Sequence, residues 1–143
     1  KIEGAVAFYK TAEYFANSKV VMFALPGAFT PTCTKEHVPG YIENFDLIKN
    51  KGVDKVACLS VNDAHVMKAW GKELSTEGKI DLLADPHGEF SEALGLLKDH
   101  GKMLGKRSRR SALIAKDGVI SHIFIEKKGG FEISTAQHIL KHL

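Results

Sequence analysis

The feature that most constrains this chain is a strand-length apolar run that ends at Pro26-Gly27 and gives way to a helix-period segment. Lys19-Val20-Val21-Met22-Phe23-Ala24-Leu25 reads as a buried strand. Val38, Tyr41, Ile42, Phe45 and Ile48 then recur at three- and four-residue intervals. That spacing predicts one face of a helix from about Thr32 to Lys49, with Asn50-Lys51-Gly52 as its stop. The pattern repeats. Val53 to Val61 is a second buried strand, and Asn62-Asp63 can cap a helix whose apolar side carries Val66, Met67, Trp70 and Leu74. Ile80–Ala84 is a third strand, Asp85-Pro86-His87-Gly88 a turn, and a helix follows through Phe90, Ala93 and Leu94.

Such alternation demands parallel strands joined by crossover helices. A short helical turn, Thr11 to Ala16, precedes the first strand, and Gly95 to Lys106 reads as a long connection. Arg110–Ala115 and Val119–Glu126 form a hairpin across Lys116-Asp117-Gly118, which adds antiparallel strands. Ser134-Thr135-Ala136-Gln137 fits a capping box for a last helix through Ile139 and Leu140. The expected architecture is a thioredoxin-like α/β fold, a central mixed sheet flanked by helices. No repeat or linker interrupts it, so one domain over residues 1–143 is expected.

Composition narrows the class. With 44% hydrophobic and 26% charged residues the chain reads as an ordinary globular protein, and no apolar stretch approaches the ~18 residues that span a bilayer. A net charge of +3 is too small to argue for a polyanionic partner. Lys102, Lys106, Arg107, Arg109 and Arg110 cluster locally, but no aromatic residues interleave them as in single-strand readers, so the cluster reads as a solvated loop and strand start. Two cysteines 25 residues apart make no disulfide framework and point to free thiols in a reducing compartment. The chain begins at Lys1 without a methionine, as a processed or trimmed product does. The expected location is the cytoplasm, or a mitochondrion or plastid if a transit segment was removed.

Pro26-Gly27-Ala28-Phe29-Thr30-Pro31-Thr32-Cys33 delivers a thiol to the first turn of the helix. There it faces unpaired backbone N–H groups and the positive end of the macrodipole, both of which favour a thiolate. Buried cysteines are often inert filling, but Cys33 stands between threonines and Lys35-Glu36-His37, outside any apolar stripe. Cys58 is the opposite case, within Val56-Ala57-Cys58-Leu59-Ser60-Val61, where packing is the default reading. Thr30 serves either as a helix-entry hydroxyl or as a hydrogen-bonding partner for the Cys33 sulfur and an oxygen substrate. Pro26 either ends the strand or also shields the thiolate from water. His37, four residues after Cys33 on the same helix face, either assists the thiolate or is a solvated surface histidine, and the second is expected.

Pro26, Thr30 and Cys33 match the P-x-x-x-T/S-x-x-C signature of peroxiredoxins. The longer string through His37-Val38-Pro39-Gly40-Tyr41 resembles the type II, or peroxiredoxin-5, group. Further matches are Ser60-Val61-Asn62-Asp63, Met67-Lys68-Ala69-Trp70 and Gly105-Lys106-Arg107-Ser108-Arg109-Arg110, so the resemblance covers most of the chain from Lys19 onward. It implies a thioredoxin-like fold and an arginine beside the sulfur. By its position before the hairpin turn that arginine is Arg110, with its neighbour Arg109 the lesser match.

The resemblance further implies peroxide reduction by in-line attack of the Cys33 thiolate. Thr30, Arg110 and the backbone N–H groups near Thr32 and Cys33 would stabilise the leaving oxygen. The resulting sulfenic acid needs a second thiol. Gly130 to Thr135, where some members carry a resolving cysteine, has none, and Cys58 matches the second cysteine of the plant-like enzymes. A mid-strand thiol and a helix-start thiol are expected to exceed the ~7 Å between Cα atoms that a disulfide tolerates. The expected reductant is therefore external: glutathione with glutaredoxin first, thioredoxin second. A homodimer is implied too, with Phe29 and Leu104 as contributors.

Two other functions compete. A disulfide reductase is disfavoured because Cys33 is followed by Thr34-Lys35-Glu36, leaving no C-x-x-C. A non-catalytic binding or chaperone-like module would not require Thr30, Cys33 and Arg110 together. No bound cofactor and no metal are expected, since the seven histidines are scattered.

Overall fold

The strand read from the first apolar run, β1 (Lys19–Ala24), lies at the centre of a five-stranded sheet because both of its faces are apolar. The computed structural model describes residues 10–143, so the expected domain start at residue 1 lies outside the described residues. With β2 (Lys55–Ser60), β3 (Ile80–Ala84), β6 (Ser111–Lys116) and β7 (Val119–Ile125), the sheet has the order β3-β2-β1-β6-β7. β1, β2 and β3 run parallel, while β6 and β7 are antiparallel additions. This is the mixed sheet that the element order implied.

Period-two alternation sorts the side chains into two cores. Val21, Phe23, Leu25, Val56 and Cys58 face a layer formed by the helix after β1, by α4 (Ala64–Leu74) and by α6 (Ala136–Leu140). Val20, Met22, Ala24, Ala57 and Leu59 pack on the other face with Tyr14 and Phe15 of α1 (Thr11–Phe15) and with Leu96. Partly buried Phe90, of α5 (Glu89–Ala93), and Leu94 complete that face.

Three local expectations are corrected. The segment from Gly95 to Lys106 contains a small antiparallel pair, β4 (Leu97–Asp99) and β5 (Lys106–Ser108). The helix after β1 is not one regular rod: a π turn at Cys33–His37 leads into α2 (Val38–Glu43), and Asn44 separates this from α3 (Phe45–Lys49). The last helix is capped by the Thr135 hydroxyl, which accepts from His138 N–H at 3.2 Å, while Ser134 is used elsewhere. The cap at Asp63, accepting from Val66 N–H at 2.9 Å, is as expected. The β6–β7 turn also follows its sequence, with Asp117 (φ 48°) and Gly118 (φ 79°) in the left-handed conformation that a two-residue hairpin loop of type I′ requires.

Register places the site. β1 exits the sheet beside Ser111, the partner of Ala24. Arg110 therefore stands at the carboxyl end of β1, where the chain turns towards Cys33.

Candidate active site

The loop from Pro26 to Thr30 is held from several sides before the helix starts. Asn62 Oδ1 accepts from Ala28 N–H at 3.0 Å, and Arg107 Nη1 donates to the Pro26 carbonyl at 3.3 Å. Arg107 also donates from Nε to the Leu104 carbonyl at 3.0 Å, so it is a loop clamp and not a member of a solvated basic cluster. Gly27 leaves room for this clamp, since a Cβ at that position would lie 2.8 Å from Arg107 Nη1 and push the guanidinium aside. Phe29 takes φ 64° and remains exposed.

Helical backbone begins at Pro31, which needs no N–H there. Thr34 N–H donates to the Thr30 carbonyl at 3.0 Å, leaving the Thr32 and Cys33 N–H groups in the turn ahead of that bond. Thr30 donates its hydroxyl to the Gly27 carbonyl at 2.7 Å. In this state its proton serves the loop, and its expected approach to the sulfur is not among the described hydrogen bonds.

Cys33 is wholly buried within the core that holds Phe23, Val38 and Tyr41. Its expected place outside the apolar packing is thus corrected. Burial does not make it filling, however, because Arg110 Nη2 points at its sulfur from 3.4 Å. The structure brings Cys33 and Arg110 together; Arg109 uses its backbone N–H on the Leu96 carbonyl at 2.7 Å instead.

His37 overturns the surface assignment. It is completely buried, packed on Phe23 at 4.9 Å and edge-on to Phe131 at 5.3 Å. It closes a π turn in which Val38 N–H reaches back to the Cys33 carbonyl, an i→i+5 bond. Residue 37 lies four positions from both Cys33 and Tyr41, so it shares the buried face that carries them. His37 Nε2 lies 3.0 Å from the Ser134 carbonyl, and Nδ1 lies 2.9 Å from Arg110 Nη1. A carbonyl only accepts and a guanidinium only donates, so Nε2 carries the proton and Nδ1 the lone pair. Burial, and then the Arg110 cation, lower the pKa of His37 to about 3; the bond to Ser134 opposes this. The ring is neutral and acts as a fixed acceptor for Arg110.

The second thiol differs. Cys58 lies opposite Phe23 in the parallel register and is wholly buried. Burial first, and the nearby Cys33 second, push its pKa well above the ordinary thiol value, against a smaller opposing pull from Arg110. Among the described residues both cysteines are free, and no group of three His, Cys, Asp or Glu side chains could hold a metal ion.

A buried thiol, an aimed guanidinium and a mixed α/β sheet define a thiol-based redox protein without a C-x-x-C pair. Comparison with known proteins gives the family. The redoxin family matches residues 7–140. The chain is 44% identical to the chloroplastic peroxiredoxin-2E of Arabidopsis thaliana over 98% of its own length, spanning 61% of that relative. It is 49% identical to peroxiredoxin-2B of the same plant, over 90% of this chain and 80% of the relative. Among solved structures, reduced Prx3 from Vibrio vulnificus in complex with hydrogen peroxide superposes with a TM-score of 0.91 at 47% identity, covering 94% of this chain and 84% of that one. The chain belongs to the redoxin family and, within it, to the peroxiredoxins, whose thioredoxin-like architecture it shares.

His37, Arg107 and Asn62 were missed as site residues. The sequence held one signal common to all three, since each lies inside a string that resembles the type II group.

Proposed function

We propose that this chain is a thiol peroxidase whose peroxidatic residue is Cys33, acting on hydrogen peroxide and small alkyl hydroperoxides. The observation that carries the reading is the guanidinium of Arg110 aimed at the sulfur from 3.4 Å while neutral His37 holds its other arm. A cation so placed stabilises the thiolate, and its remaining donors can follow the charge that develops on a departing oxygen. The Vibrio protein with its bound peroxide supports the choice of substrate.

In the proposed reaction the thiolate attacks one peroxide oxygen in line with the O–O bond. An S–O bond forms, the O–O bond breaks, and its electron pair leaves on the distal oxygen, which takes a proton to become water or an alcohol. Sulfur is oxidised to the sulfenic acid and peroxide is reduced. Arg110 and the N–H groups of Thr32 and Cys33 stabilise the leaving oxygen. Thr30 joins them once its hydroxyl turns from the Gly27 carbonyl, and Pro26 limits water at the sulfur.

A second thiol then displaces the sulfenic oxygen as water, forming a mixed disulfide, and a further thiol releases Cys33. The high pKa of Cys58 argues against its attack, so glutathione with glutaredoxin is the proposed reductant, with thioredoxin second. The sulfur is wholly buried, so a protein thiol reaches it only when the helix start opens, and the π turn is the weakly bonded place for this. Exposed Phe29, beside the site, fits the proposed homodimer contact. No helix among the described residues is long and apolar enough to cross a membrane, and the chloroplast relative supports the organellar branch of the expected location.

The test is peroxide consumption by the wild type and Cys33→Ser, each with glutathione plus glutaredoxin and with thioredoxin plus its reductase. Thiol-dependent loss of peroxide in the wild type alone supports the reading. No such loss in the wild type retires it, and faster turnover with thioredoxin reverses the order of reductants.

A further inference from the structure

Residue 126 touches both ends of the apparatus around the sulfur. Just past β7, the Glu126 N–H donates to the Arg110 carbonyl at 2.9 Å, extending the strand pairing by one step. Its side chain is nearly buried, and one carboxylate oxygen accepts three hydrogen bonds. These come from Glu132 N–H at 2.7 Å, Ser134 N–H at 2.8 Å and the Ser134 hydroxyl at 2.7 Å.

Ser134 is thereby fixed on one side and presents its carbonyl on the other. Tyr41 donates to that carbonyl at 2.7 Å and His37 Nε2 at 3.0 Å. This acceptor is what selects the Nε2–H form of His37, and that form alone leaves a lone pair on Nδ1 for Arg110. Independently, the 126–134 segment is fitted to the carboxylate: a Cβ on Gly130 would lie 3.1 Å from Glu126 Oε1 and 3.1 Å from the Lys127 carbonyl.

We propose that Glu126 is a positioning residue for Cys33. Its carboxylate fastens the 132–134 loop, the Ser134 carbonyl fixes the tautomer of His37, and His37 aims the Arg110 guanidinium at the sulfur. The kinetic part rests on the reading of Cys33 as the reacting thiol; the geometric part does not. Three donors converge on one carboxylate oxygen, and hydrogen bonds to a charged acceptor are about twice as strong as neutral ones. Removing the charge while keeping the shape therefore loosens the chain of contacts at its root.

The experiment compares wild type with Glu126→Gln, both carrying Cys58→Ser so that one thiol reports. Ring-nitrogen NMR of labelled histidine reads the tautomer of His37, and iodoacetamide alkylation across pH reads Cys33 without any peroxide. The expected result is a mixed-tautomer signal for His37 in Glu126→Gln. Alkylation at neutral pH should fall about tenfold. A folded Glu126→Gln protein with an unchanged ring signal and an unchanged alkylation profile overturns the proposal. Should that variant not fold, Ser134→Ala removes a single donor and should shift both readouts in the same direction, by about threefold in rate; no shift there overturns it equally. Because neither readout uses peroxide, failure here is distinguishable from failure of the peroxidase reading.

Discussion

Cys33 and Cys58 are equally inaccessible, yet their surroundings differ in kind. Both have no exposed surface and both belong to the same apolar cluster. Cys58 sits mid-strand between hydrogen-bonded neighbours, and burial drives its pKa up. Cys33 sits where a helix opens, with a guanidinium nitrogen 3.4 Å away that is itself held by a neutral ring. Burial alone silences a thiol, whereas burial beside a fixed cation sharpens the field that acts on it. Proximity reinforces the contrast, because charge on the sulfur of Cys33 further disfavours charge on Cys58.

The most severe way to break the contrast is Cys33→Ser, which should abolish thiol-dependent peroxide turnover while leaving the circular dichroism spectrum and melting temperature near wild type. Residual turnover above about one per cent of wild type, on a scale where each tenfold is about 1.4 kcal/mol, would move the chemistry to Cys58. Next comes Arg110→Lys. A lysine keeps the charge but lacks the planar fork that serves His37 Nδ1 and Cys33 Sγ at once. Loss of about 2–3 kcal/mol of transition-state stabilisation, a drop of roughly a hundredfold in kcat/KM, is expected from stopped-flow kinetics with hydrogen peroxide. A rate within threefold of wild type would show that charge suffices without the fork.

The strand side of this comparison was legible from sequence and the helix side only partly so. Cys58 lies in an unbroken apolar run, and strand periodicity carries that fact intact to its buried place. Cys33 was legible from its place at a helix start, Arg110 only through the family resemblance, and register then brings them together at the end of β1. His37 was misjudged by residue type: its spacing of four from Cys33 and Tyr41 puts it on their buried face, but a histidine beside Lys35 and Glu36 reads as solvated until its partners Ser134 and Arg110 are seen. Glu126 was not legible: a carboxylate at the end of a strand reads as a surface charge until its three donors, from a loop six to eight residues further on, are seen. Long-range polar pairing leaves no periodicity behind, and so it stays hidden where apolar patterning does not.

The histidine supplies a smaller and more gradual test. Its folded pKa of about 3 lies below the 6.5 of an unperturbed ring, chiefly through burial and then through Arg110. Above 6.5 the ring is neutral in both folded and unfolded chains, and its contribution to stability is fully present. As pH falls, the unfolded chain takes a proton that the folded one refuses, and that contribution is lost progressively down to about 3. The slope is about 1.4 kcal/mol per pH unit for one such group, measurable by urea denaturation between pH 6 and pH 4. In His37→Asn this slope should flatten by that amount, and an unchanged slope would mean that the ring is charged in the fold.

The least disruptive change is Cys58→Ser. A hydroxyl in place of the thiol is nearly isosteric but more polar, and wholly buried among Phe23, Val56 and their neighbours it costs about 1–3 kcal/mol of stability. Catalysis should hardly notice. With glutathione and glutaredoxin supplied, turnover should stay within about twofold of wild type, because a thiol whose ionisation burial opposes makes a poor attacking group for the Cys33 sulfenic acid. Mass spectrometry after one equivalent of peroxide sharpens the point: without added thiol, the wild type should carry a sulfenic acid on Cys33 and not a Cys33–Cys58 disulfide. If the disulfide forms, and folded Cys58→Ser loses most of its turnover, the two thiols are partners and their difference is one of timing, with Cys58 acting only after the helix start has opened.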